Sequence, residues 1–137
     1  MSKSTYMADA VLDLILSGAS WTPPATVYLA LYSVTPTGYG TGGTEFDGTT
    51  EPGYVRLAVT NNTTNFPAAS AGSKTLGVSQ TFAANSGGSA WANAVAFGIF
   101  DASTAGNLLG YGAMTPIACP AGQSITIPSS SVIWTET

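Results

Sequence analysis

Glu45, Asp47 and Glu51 stand within seven residues of one another in TEFDGTTE, beside glycines. Three carboxylates on a flexible loop carry the oxygen donors that Ca²⁺ needs. Their spacing is not that of the EF-hand loop. A paired-carboxylate glycosidase holds its two carboxyl groups about 5–9 Å apart across a sugar. Neighbours on one loop are poorly held for that. The plain expectation is a solvated acidic loop, with calcium or an inter-subunit contact as the sharper alternative and catalysis last. Arg56 follows closely and either pairs with one of these acids across a sheet edge or faces solvent.

Other chemistries lose their residues. The chain has no histidine. That removes Ser-His-Asp and Cys-His catalysis and almost all catalytic zinc. Cys119 is the single cysteine, in ACPAG; it reads as a buried, inert thiol. No GxGxxG, no GxxxxGK[ST] and no cysteine pair occurs, so a nucleotide cradle and structural zinc have no support. No cofactor is expected. Three basic residues against seven acidic ones give a net charge of −4, whereas nucleic acid demands a basic footprint. Only 7% of residues are charged, against about a quarter in an ordinary domain. Ser, Thr, Asn and Gly supply the polarity instead. Such a surface repels its neighbours weakly and suits a protein packed against others.

Aromatic residues are the remaining candidates, as anchors for another chain. Trp91 and Trp134 read as core. Tyr39 and Phe46 lie in a loop too glycine-rich to bury them by itself, and with Trp21, Tyr6, Met7 and Arg56 they form the expected interface set. An aromatic pair stacking on a sugar, as in a small lectin, is the lesser alternative.

These residues need elements to hold them. Residues 5–17 predict the one helix, since Met7, Val11, Leu14 and Ile15 form one apolar stripe. Ser4 or Thr5 caps it, Asp9 favours its positive end, and Gly18 stops it. The stripe docks on the β core as a lid; holding another subunit is the alternative. Asp9 and Asp13 interrupt the apolar stretch, so the N-terminus reads as mature structure rather than a signal peptide. No apolar run reaches 18 residues, and no membrane span is expected.

After Pro23 and Pro24 the period becomes two. Runs at 27–33, 53–60, 74–82, 94–100, 107–114, 123–128 and 131–134 predict strands of an all-β sandwich or barrel. DASTAGN joins two of them as a hairpin: Asp101 starts the turn, and Gly106 and Asn107 tolerate positive φ. A length of 137 residues fits one domain, with the helix at 5–17 and a β body at 26–134.

The order of motifs carries a resemblance. A short helix, VYLALYS followed by TPTG, GYVRLAV, and AFGIFDASTAGNLLGYGAM together resemble a family of small tailed-phage virion proteins. Members are tail-fibre-like, and some relatives are capsid decoration (cement) proteins. The similarity spans roughly residues 7–134. It implies an antiparallel β-sandwich of jelly-roll type and a structural role, and it brings no catalytic residue. The expectation is a non-enzymatic cement protein on the virion's capsid surface. It would bind the major capsid protein and self-associate as a dimer or trimer. Met1–Met7, loop 37–52 and residues 129–137 are the expected contacts. A tail or fibre component touching the host surface is the alternative.

Overall fold

Alternation of large apolar residues builds the centre of the molecule. The computed structural model describes residues 1–135. Strand β2 (Thr26–Val34) pairs with β7 (Ala94–Phe100), and β7 pairs with β8 (Leu108–Ile117). The short β1 (Ser2–Lys3) adds to the outer edge of β8. On its other edge β2 pairs first with β4 (Leu57–Thr60) and then with β3 (Thr44–Glu45). These six strands form one sheet. Two ribbons complete the β structure: β5 (Ser73–Thr75) with β10 (Ile133–Thr135), and β6 (Gln80–Thr81) with β9 (Thr126–Ile127). Every pairing among the described residues is antiparallel, as the sequence predicts. The pattern is one six-stranded sheet plus two ribbons, and it does not spell out a jelly roll.

Both faces of the central strands are covered. Val27, Leu29 and Leu31 of β2 pack with Phe97 and Ile99 of β7, and with Leu76, Ile125, Ile127 and Val132 from the ribbon side. Ala30 and Tyr32 point the other way and meet Ala96 and Phe100 in a smaller cluster. Period-two alternation forces this division, because successive side chains leave a strand on opposite faces.

Three predicted strands are corrected, and of these the run at 123–128 is strand only over Thr126–Ile127. The run at 53–60 becomes strand only from Leu57, and Val55 is exposed. Its first residues leave the ladder because the Tyr54 amide donates to Glu51 O in a turn. The run at 74–82 divides into β5 and β6. Gly77 marks the break: its amide donates to Asn65 O, and a Cβ there would lie 2.4 Å from Thr64 O. Val78 is left exposed as a result.

Helix α1 (Thr5–Leu16) starts where its cap predicts. The Ser4 hydroxyl accepts from the Met7 amide and donates to Leu108 O, and the Ser4 amide donates to Leu109 O. One buried serine thus joins helix to sheet. Ser4→Ala is expected to cost about 1–2 kcal/mol, since it removes a cap and orphans a carbonyl; urea unfolding checks this, and an unchanged midpoint would refute it. Gly18, at φ +67°, follows the C-cap residue Ser17. Asp9 lies beyond the first turn, which holds no acid. The helix docks only by its first half, where Met7 packs against the core and Val11 is half-buried. None of its residues is buried, and Leu14 and Ile15 of the predicted stripe are exposed.

Candidate functional site

Loop 35–56 holds most of the predicted residues, and its three acids take three separate tasks. Glu45 grips Arg56 with both oxygens: Arg56 Nε donates to Oε1 at 2.8 Å and Nη2 to Oε2 at 2.8 Å. Asp47 Oδ1 accepts from the amides of Thr49 and Thr50, at 2.7 Å each. Glu51 is buried, and its Oε2 accepts from the Asp47 amide at 3.0 Å and the Thr50 hydroxyl at 2.6 Å. Among the described residues no three His, Cys, Asp or Glu side chains are grouped to hold a metal. Sequence proximity does not converge here, because each carboxylate is turned to a different neighbour.

Arg56 ties three segments. Beyond Glu45, its Nη1 donates to Ala102 O at 2.9 Å and Ala105 O at 2.7 Å, both in the β7–β8 hairpin loop. Its guanidinium lies 3.4 Å from the centre of the Phe100 ring. Tyr54 Oη donates to Glu45 Oε1 at 3.3 Å and accepts from the Leu31 amide at 3.1 Å, which brings β2 into the same knot. Planar forked donors suit such a site better than a lysine would. Burial works against the Arg56 charge, and the Glu45 carboxylate outweighs it, holding the guanidinium above its ordinary pKa. Burial, reinforced by Glu45, pushes Tyr32 up to about 12 and raises Tyr54 as well. Both phenols therefore stay neutral at physiological pH, and Tyr54 keeps its proton to donate.

The hairpin loop is closed by its own ends. Asp101 Oδ1 accepts from the Asn107 amide at 2.7 Å and Oδ2 from the Asn107 side-chain amide at 2.8 Å. Positive φ falls on Ala105 and Gly106, not on Asn107.

Asp47 makes this loop sensitive to acid. The amides of Thr50 and Thr49 hold its carboxyl below the ordinary aspartate range. A depressed pKa stabilises the fold above the unfolded-state value, and that contribution disappears as pH falls through the folded value. Exchange of the Thr49 and Thr50 amides should accelerate as pH drops below about 4, relative to the intrinsic rate. In Asp47→Asn that acid-dependent step should vanish. An identical profile in both proteins would refute the assignment.

Several interface expectations change. Phe46 is buried, at 5.5 Å and 74° to Tyr54 and 5.9 Å and 82° to Trp91. It belongs to the core, because partners distant in sequence cover it. Arg56 is occupied within the chain. Tyr39 is 72% exposed at φ +64°, at the tip of the loop. Tyr6 is exposed, while Met7 and Trp21 are half-buried. Trp91 is core and Trp134 half-buried. Of the predicted C-terminal contact, residues 136 and 137 lie outside the described residues.

The model of the family described as podophage GP4 fiber I protein gp80 matches residues 2–135. The chain belongs to that family. A gp80-family chain is a tailed-phage virion structural protein, in line with the resemblance carried by YLALY, GYVR and the hairpin. No curated protein matches the chain.

This gp80-family protein also has an apolar groove that strand patterning alone does not reveal. About 450 Å³ in volume, it is bounded by Met7, Trp21, Val27, Phe66, Ile99 and Trp134. Its residues come from six places in the sequence, so no local motif announces it. A signal for its neighbour was visible: TYMADAVLDLIL has only two charges, and Leu12 and Leu16 lie outside the predicted stripe.

Proposed function

We propose that this protein is a fibre-associated structural subunit of a podophage particle, acting through shape and adhesion and carrying no catalytic role. The match of nearly the whole chain to the fiber I model is the observation that carries this reading. The state of the acids supports the second half of it. Glu45 is clamped by Arg56, Asp47 and Glu51 cap their own loop, and the chain has no histidine to act as a base. The surface that remains is dominated by hydroxyls, amides and exposed apolar side chains, which serve contact rather than proton transfer. The partners on this reading are neighbouring fibre or tail subunits.

Decoration of the capsid, with the major capsid protein as partner, is the second reading. It draws on the low charge, which suits dense packing of many copies on a shell. Gold-labelled antibody against this chain, imaged on intact particles, separates the two. Label at the tail supports the fibre assignment. Label spread over the shell overturns it in favour of decoration, and absence from purified particles overturns both.

A further inference from the structure

Helix α1 is apolar around nearly its whole circumference, yet it has no buried residue. A helix of that composition is normally enclosed. Leu12, Leu14, Ile15 and Leu16 are 55%, 47%, 70% and 79% exposed. Only the root of the helix is held, through Ser4 on β8 and Met7 on the core. Beside that root the groove lies open, and the far end of the protein's own helix does not line it. The molecule presents 7104 Å² to solvent, about 500 Å² more than a monomer of this mass normally does. A projecting arm accounts for that direction of departure.

We infer that the occupant of the groove is the far end of α1 from a second copy of this chain. Charge favours the match. Helix α1 carries Asp9 and Asp13 and no cation, whereas among the described residues lining the groove the one charged side chain is Lys74, whose Nζ is held 2.9 Å from Pro67 O. Helical spacing puts Asp9 and Asp13 on the side of the helix next to Leu12 and Leu16. The apolar end can therefore enter while the acids meet Lys74. Arm and groove belong to one chain, so a two-fold arrangement fills both grooves at once and closes. The inference rests on reading the protein as a structural subunit and gives that reading a self-contact.

Light scattering on the full chain over a range of concentrations tests this. A discrete dimer is expected. Ile15→Asp with Leu16→Asp changes only exposed positions, so circular dichroism should be unchanged while self-association weakens at least about tenfold. Lys74→Glu should weaken it several-fold, and adding Asp9→Lys and Asp13→Lys should restore it. Mixing Ile15→Cys chains with Ala69→Cys chains under oxidant should give a disulfide between copies. A wild-type monomer at every concentration would overturn the inference, as would a dimer indifferent to the helix-end and Lys74 variants. A small apolar ligand filling the groove of a monomer would overturn it as well. A monomer still found at the tail removes this contact and leaves the proposed function standing. A dimer absent from particles does the reverse.

Discussion

Arg56→Ala is expected to destabilise the protein by about 2–4 kcal/mol. The side chain is 10% exposed and its Glu45 partner 25%. Removing one member of a fully buried pair costs about 3–5 kcal/mol, and an exposed pair contributes about 0–1; partial exposure of Glu45 places this one between. The loss has several components. Glu45 is left in a half-enclosed site with only the Tyr54 hydroxyl. Two carbonyls of the hairpin loop lose their donor, and Phe100 loses the cation over its face. Arg56→Lys keeps the charge and cannot fork to four acceptors, so it should recover less than half of the loss. Glu45→Gln with Arg56→Ala should cost less than the sum of the single changes, because no unpaired carboxylate remains. Urea unfolding of the wild type, Arg56→Ala, Arg56→Lys, Glu45→Gln and the double variant measures this. A loss below about 0.5 kcal/mol for Arg56→Ala would place the knot among ordinary surface pairs.

The knot also shows where sequence reasoning succeeds and where it stops. A pairing of Arg56 with an acid was one of two readings open from sequence, and the structure selects it. Which acid, and the two hairpin carbonyls 46 and 49 residues away, depend on tertiary approach. Strand β7 was legible to the residue, since Ala94–Phe100 alternates without interruption. The start of β4 was not, because Tyr54 and Arg56 are more useful to the knot than to the ladder. Phe46 illustrates the same limit. A glycine-rich loop cannot bury an aromatic with local residues, yet Trp91 arrives from another segment and does so. For α1 the reverse holds. Cap and stop are local signals and were readable, while the choice between a lid and a projecting arm depends on a surface elsewhere in the chain.

Low charge and a projecting apolar arm point the same way energetically. With 7% charged residues, little long-range repulsion keeps copies apart. In the proposed self-contact the exposed leucines of α1 drive association, while scattered hydroxyls and amides keep the rest of the surface wetted. Such a protein needs a body stiff enough to hold its contact surfaces in fixed relation.

That stiffness is testable at Trp91. Trp91→Ala should cost about 3–5 kcal/mol, as expected for deleting a large buried aromatic. The ring is 3% exposed and meets Phe46 and Tyr54 edge-on, with Phe82 stacked beyond Tyr54 at 6.1 Å. Its Nε1 donates to Pro52 O at 3.1 Å, and its amide donates to Cys119 O at 3.0 Å. The indole therefore pins the acidic loop to the core from beneath, while Arg56 pins it from the hairpin side. Trp91→Phe keeps a ring and loses the bond to Pro52, so it should cost about 1–3 kcal/mol. Tyr54 meets the Trp91 ring and donates to Glu45, the partner of Arg56, so Trp91→Ala and Arg56→Ala should be less than additive by at least about 0.5 kcal/mol. Once either anchor is gone, the loop is already loosened and the other has less to hold. Strict additivity would mean that the two anchors act on separate parts of the loop. A loss below about 1 kcal/mol for Trp91→Ala would mean that the aromatic cluster closes over the gap and the loop does not depend on it.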